Sequence, residues 1–374
     1  MTYDIVQIEK LLGRMPFASG PESVSAIRDD LKGKSILITG AAGSIGSEIV
    51  RQLVRFEPGL LLLCDIAETP LYELDMEVRY AFPAIPVVSV ICDVRSMARM
   101  EKVFEKYRPQ HVYHAAAYKH VPMMEAYPSE AVLTNIFGTK HVADLSVRYG
   151  VQVFVMISTD KAVNPANVMG ASKRIAEMYV QSLHERLGME GGRVPRIITT
   201  RFGNVLGSGG SVIPLFEKQI ARGGPVTVTH PDVIRYFMTI PEACRLVLEA
   251  ANMGRGGEIF VFDMGKPVKI RDLAEQMIRM NGLIPGRDIA IEFTGLRPGE
   301  KLYEEIVFND ELMHPTGHRR IRVAGVRPCR PEEITAGLLA LYRHAGVADD
   351  EAVVAVMQGM VPEFTTSRRP SACR

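Results

Sequence analysis

The stretch Ser35 to Glu48 reads SILITGAAGSIGSE. Ser35 to Thr39 is the apolar run of a buried strand, and Ser44 to Phe56 carries Ile45, Ile49 and Leu53 at i, i+4 and i+8, on one helical face. Between them Gly40, Gly43 and Gly46 let the main chain, with Ser44 and Ile45, approach a pyrophosphate at the helix N-terminus. Asp65 follows the next strand, 25 residues after Gly40, where a carboxylate can accept hydrogen bonds from an adenosine ribose. It would repel a 2′-phosphate, so the expected cofactor is NAD rather than NADP. A glycine-rich structural turn also fits the glycines alone; strand, turn, helix and acid together favour the nucleotide. Asp93 and Val94, in ICDVR, are expected near the adenine, although a simple strand-end acid explains Asp93 equally well. Ala115 and Ala116, after the fourth strand, complete the expected cofactor contacts.

Outward from that unit, strands are expected at Leu60 to Cys64, Val87 to Ile91, His111 to Ala115, Val153 to Ser158 and Arg196 to Arg201, with helical patterns between them. Alternation of this kind predicts an α/β fold, a doubly wound parallel sheet of Rossmann type over residues 35–202. After Arg201 come glycine and proline clusters at Gly207 to Gly210, Gly223 to Pro225 and Arg297 to Gly299. Residues 203–362 are therefore expected to form mainly a smaller, loop-rich α/β substrate domain, with chain near 236–262 returning to the first. Residues 1–34 form an expected peripheral extension and 363–374 a tail.

The 374 residues include 44 Lys plus Arg and 43 Asp plus Glu, a net charge of +1, which provides no electrostatic footprint for nucleic acid. With 47% hydrophobic and 23% charged residues the composition is that of a globular protein. Five scattered cysteines lack a CxxC pair, so neither a metal site nor a redox dithiol is expected. No apolar run approaches the roughly 20 residues of a membrane span, and MTYDIVQIEK lacks the features of a secretory signal, so a cytoplasmic location is expected.

Further motifs sharpen this reading: HAAAYKHV at His114 to Val121, NIFGT at Asn135 to Thr139, STDKAVNPANVMGASKR at Ser158 to Arg174, RFGNVLGSGGSVIPLF at Arg201 to Phe216 and RPGEKLYEEI at Arg297 to Ile306. With the glycine turn, the chain resembles the extended short-chain dehydrogenase/reductase superfamily and, within it, the nucleotide-sugar 4,6-dehydratases of polysaccharide biosynthesis, those acting on UDP-N-acetylglucosamine in particular. The superfamily's Tyr-x-x-x-Lys is altered here to Met169-Gly170-Ala171-Ser172-Lys173, and a thioether cannot exchange a proton. The long-chain dehydratase branch carries Met at this place. Lys173 keeps the position that binds the nicotinamide ribose.

The resemblance implies four events on one sugar: hydride leaves C4, the C5 proton is removed, water departs from C6, and hydride returns to C6. It assigns Asp160 as the acid protonating the C6 hydroxyl, Lys161 as the base at C5, and Thr159 as a partner of the C4 hydroxyl. A lysine base needs its pKa lowered towards 7, which burial and Lys173 nearby would favour. Arg297, Glu300 and Arg235 are expected to clamp the diphosphate and ribose, Asn204 to contact substrate, and Lys119 and His120 to border the sugar. The expected partner is a UDP-sugar, and the expected assembly a homo-oligomer. Two rivals stand beside this reading: an NDP-sugar 4-epimerase, which needs a tyrosine at position 169, and a non-catalytic NAD-binding regulator.

Overall fold

The computed structural model describes residues 19–191, 194–307, 312–325 and 331–366. Its centre is a nine-stranded sheet. In chain order the first six strands are β1 (Ser35–Thr39), β2 (Leu60–Asp65), β3 (Val87–Ile91), β4 (His111–His114), β5 (Val153–Thr159) and β6 (Arg196–Phe202). They lie parallel in the order 3-2-1-4-5-6. The order reverses between β1 and β4, and at such a switch point the loops leaving the strands' carboxyl ends part to form a crevice.

Each face of the sheet is covered by the helices that the crossovers require. On one side Ile36, Ile38, Leu61 and Leu63 pack against Ile49, Val50 and Leu53; on the other Leu37, Leu62 and Val112 meet Phe104, Val142 and Phe154. Strands β1, β2 and β5 are buried on both faces and so read as near-continuous apolar runs, whereas the edge strand β3 is partly exposed. Helix α1 (Pro21–Leu31) and α2 (Ser44–Leu53) belong to the first side. This corrects the expectation of a peripheral N-terminus: Ile27 and Leu31, one turn apart, are 1% and 2% exposed in the main core.

The smaller lobe has its own core, where Phe216 and Ile220 meet Val226, Leu273, Met277 and Ile278. The expected division at residue 203 is crossed more often than expected. A further strand, Ile259–Phe262, pairs parallel with β6; Ile321–Ala324 and then Met313–Pro315 extend the same sheet antiparallel. Helices Pro331–Gly346 and Asp350–Met360 also return, packing Leu338, Leu341, Val353 and Met357 beside Met169 and Ile175. Phe364, expected in the tail, is 3% exposed in that cluster because it fills the same apolar layer.

Candidate active site

The turn after β1 is built for close approach. Gly40 has φ of +69°, and a Cβ there would lie 2.5 Å from the backbone nitrogen of Ala116. A Cβ on Gly46 would lie 2.0 Å from the carbonyl oxygen of Gly40, so only glycine lets α2 start this near the strand. Asp65, at the end of β2, accepts the N–H of Ala42 through Oδ2 at 2.9 Å and that of Ala67 through Oδ1 at 3.0 Å. The carboxylate thus braces the turn it stands beside. This cradle, with the first-turn N–H groups of α2 and an acid at its rim, fits a dinucleotide.

Ala115 and Ala116 back that turn, and the loop 207–210 reaches it from the other lobe, where the N–H of Gly209 donates to Ser44 Oγ at 3.2 Å. Asp93 is engaged by Arg95, with Nε to Oδ2 at 2.7 Å. Burial opposes the charge on Asp93, but the Arg95 bond outweighs it and holds the carboxyl below its usual range. Val94 is buried, and its carbonyl lies 3.1 Å from the ring of His141.

The second half of the crevice is the carboxyl end of β5. Thr159 is extended, and its Oγ1 accepts the N–H of Lys161 at 3.3 Å, which turns the chain into one short 3-10 turn, Asp160–Ala162. Lys161 Nζ donates to Asp160 Oδ1 at 2.9 Å and to Asn204 Oδ1 at 3.0 Å. Thr159 Oγ1 donates to the same Asp160 Oδ1 at 2.9 Å. Asp160 is 1% exposed, and its Oδ2 is buried without a hydrogen-bond partner. Lys161 keeps 16% of its side chain exposed, so it borders the crevice while Asp160 lies beneath it.

Here the structure departs from expectation. Burial works against the Lys161 ammonium, but Asp160 and Glu304 outweigh it and hold the pKa above the usual lysine value. The lysine whose pKa falls is Lys173, pushed down to about 8 by burial against the opposing influence of Glu177. Lys161 is therefore a charged partner of Asp160, and the lysine whose pKa burial lowers is Lys173, 5% exposed.

Helix α8 (Val168–Met189) carries Met169 and Lys173 in its first turns, counting α3 (Glu68–Ala81), α4 (Met97–Tyr107), α5 (Val121–Ala126), α6 (Pro128–Ala131) and α7 (Thr139–Arg148) before it. Met169 is 4% exposed within an apolar cluster. Asn167 caps the helix, its Oδ1 accepting the N–H of Gly170 at 2.7 Å, and its Nδ2 donates to the Gly299 carbonyl at 3.0 Å. That second bond ties the RPGEK loop to the helix start. Lys301 Nζ adds a bond to the Val163 carbonyl at 3.4 Å, and Asn164 bonds Glu305.

Arg235 faces inward at 8% exposure, donating to the Leu302 carbonyl at 3.1 Å and to Glu300 at 3.2 Å, with Glu304 at 3.9 Å. Arg297 has an exposed side chain, and its N–H donates to Glu300 Oε2 at 3.2 Å. Lys119 and His120 lie in the loop after β4; burial lowers the pKa of both, and Lys119 adds to the effect on His120. A Cβ on Gly210 would lie 2.5 Å from the His120 ring.

Several supporting residues escaped sequence reasoning. Asn135, from NIFGT, is fully buried and holds Tyr118 by both backbone groups, N–H to Oδ1 at 2.8 Å and Nδ2 to carbonyl at 2.9 Å. Glu177 and Arg201, both wholly buried, pair at 2.7 Å, and Ser158 Oγ donates to Glu177 at 2.6 Å, which fixes the strand end before Thr159. Glu304 stands inside RPGEKLYEEI, where sequence adjacency says nothing of its buried place beside Arg235 at 3.9 Å.

The sequence profile described as "Polysaccharide biosynthesis protein" matches residues 36–325. The capsular polysaccharide biosynthesis protein CapD of Staphylococcus aureus is 53% identical over 311 residues, 83% of this chain and 50% of CapD. The chain thus spans about half the length of the first curated relatives it matches. A UDP-glucose 4-epimerase of Rickettsia canadensis is 34% identical over 289 residues, 75% of this chain and 79% of the epimerase. Among solved structures, Pen from Bacillus thuringiensis superposes with a TM-score of 0.72 at 34% identity, covering 80% of this chain and 89% of Pen. DesIV, a dTDP-glucose 4,6-dehydratase from Streptomyces venezuelae solved with NAD bound, shares the fold at a TM-score of 0.62 and 23% identity, over 72% of this chain and 87% of DesIV. Among the described residues no helix is long and apolar enough to cross a membrane.

Proposed function

The chain belongs to the polysaccharide biosynthesis protein family, and on that premise we propose that it is an NAD-dependent hydro-lyase converting a UDP-sugar, UDP-N-acetylglucosamine, to its 4-keto-6-deoxy product. The observation that carries the reading is the Asp160–Lys161 contact of 2.9 Å at the carboxyl end of β5, where the crevice opens. When bound, NAD supplies the acceptor for hydride from C4 and the donor of hydride to C6. The chain's own residues do the rest. Thr159 hydrogen-bonds the C4 hydroxyl and relays its proton to Asp160, Lys161 in its uncharged form takes the C5 proton made acidic by the adjacent ketone, and Asp160 gives the C4 hydroxyl's proton to the departing C6 hydroxyl. Asp65 and the glycine turn hold the adenosine and pyrophosphate, Lys173 the nicotinamide ribose. Arg297 and Arg235 with Glu300 hold the diphosphate and ribose, and Asn204, Lys119 and His120 border the sugar.

The Rickettsia relative favours a second reading, 4-epimerisation. Against it stands the Asp160–Lys161 pair: loss of water across C5 and C6 needs an acid and a base there, and inversion at C4 does not. The two separate in one experiment. Incubation with UDP-N-acetylglucosamine in heavy water should give a product lighter by one water, deuterated at C5, with no NADH accumulating. Unchanged substrate mass with inversion at C4 refutes the dehydration and supports the epimerase.

A further inference from the structure

Three sulfur atoms meet in the second face's core, behind the strand ends that carry Asp65 and Asp93. Cys64 is the last buried residue of β2, Cys92 follows β3, and Met100 comes from α4. Met100 Sδ lies 3.9 Å from Cys64 Sγ and 3.5 Å from Cys92 Sγ, and Cys64 Sγ donates to the Cys92 carbonyl at 3.6 Å. All three are enclosed, with Cys64 and Met100 at 0% exposure and Cys92 at 4%. The pairing of β2 with β3 sets Cys64 beside Val90, two residues before Cys92, so the sheet brings together thiols 28 positions apart in the chain. No CxxC spacing announces them.

The three sulfurs form one donor set, and its chemistry selects the ion. Thiolate and thioether are soft, polarisable donors that favour Cu(I) over the hard cations held by carboxylate and carbonyl oxygen. A structural zinc ion asks for four ligands drawn from Cys, His and carboxylate. Among the described residues no three of His, Cys, Asp or Glu come together, so that set is lacking. A metal–thiolate bond is about 2.3 Å long, so two sulfurs on one ion stand up to about 4.6 Å apart. Both gaps to Met100 fall within that reach. Leu37, Leu62, Val103 and Phe104 belong to the same apolar cluster, a setting that tolerates no net charge. Cu(I) meets that condition by displacing one thiol proton to solvent: one S–H bond breaks, one S–Cu bond forms, and a single positive charge replaces another. The second thiol and the thioether add neutral donors.

We propose that Cys64, Cys92 and Met100 bind one Cu(I) ion, a soft monovalent metal site that the dehydration does not use. Cys64 and Cys92 stand one residue before Asp65 and Asp93, so the ion ties both strand ends at the adenosine side of the crevice to α4.

The test is anaerobic titration of the reduced, NAD-loaded protein with Cu(I), added as its acetonitrile complex, against excess bathocuproine disulfonate, whose coloured copper complex reports the ion the protein has not kept. Wild type should hold one equivalent at competitor concentrations where Cys64→Ala and Cys92→Ala hold none. Met100→Leu, which keeps the packing volume and removes the thioether, should hold it about tenfold more weakly or worse. Cys244→Ala removes a buried thiol from the other face of the sheet and should match wild type. Copper K-edge absorption on wild type needs no variant to fold, and should show a first shell of sulfur alone at about 2.3 Å. Wild type that surrenders all its copper overturns the proposal, as does a first shell of nitrogen or oxygen. Full retention by a folded Cys64→Ala or Cys92→Ala protein overturns it equally.

Discussion

Three side chains near the end of β5 divide into those that hold protons and one that cannot. Proton-transfer groups contribute typically 10²- to 10⁴-fold, so Lys161→Ala and Asp160→Asn should each lower turnover by about two orders of magnitude or more. Met169 packs at 4% exposure among apolar neighbours and offers no proton. Met169→Ala should therefore cost about tenfold or less, the price of looser packing beside the crevice. Measuring kcat with UDP-N-acetylglucosamine and bound NAD in each variant checks this, since lost cofactor imitates lost chemistry. A Met169→Ala protein that keeps NAD and is as impaired as Lys161→Ala contradicts it. Asp160 and Lys161 were legible because they are neighbours in sequence just past a strand end, and Met169 because it stands four residues before Lys173. The charge on Lys161 was not, because Glu304 stands far along the chain and reaches it only through the fold.

At the scale of elements, helix α8 meets the Asp160–Ala162 turn with no room between them: a Cβ on Gly170 would lie 2.1 Å from the Lys161 carbonyl oxygen. Backbone faces backbone there, so the helix must move away from the turn that carries the acid–base pair. Gly170→Ala should cost about 1–3 kcal/mol of stability and at least tenfold in kcat. NAD affinity should change little, because the glycine turn lies on another element. Gly188, on the same helix with nothing within 4 Å of its added Cβ, provides the control: Gly188→Ala should be neutral or mildly stabilising. Urea denaturation and steady-state kinetics on both variants decide the matter, and equal effects refute the crowding argument. The first six strands were legible from local signals, glycine spacing and apolar runs. Ile321–Ala324 and Met313–Pro315 were not, since they join by antiparallel pairing with distant partners.

Across the whole molecule, two histidines are buried in the sheet without charge. Burial pushes His111 down to about 4, with Asp30 opposing, and His114 down to about 3. His114 is held between the hydroxyls of Thr39 at 2.7 Å and Thr139 at 2.9 Å. Unfolded histidine titrates near 6.5, so below that value the unfolded chain binds protons that the folded one refuses. Stability from this source is complete above about pH 7 and falls as pH drops towards 4, by about 2 kcal/mol per histidine at pH 5. The urea midpoint should decline between pH 7 and 5, and His111→Gln should flatten that decline by about one proton. A midpoint that stays level in the wild type refutes it. The same distances in sequence govern how the molecule is made. Thr365 donates to the Pro165 carbonyl at 3.0 Å, and Phe364 closes the apolar layer over Met169 and Ile175, roughly 200 residues after Met169 is made. At about 5–20 residues per second a ribosome needs about 10–40 s to supply that cover. Throughout that interval the nascent chain carries a bare apolar face that chaperones can hold, and a chain that stops short of Phe364 leaves the layer over Met169 and Ile175 open.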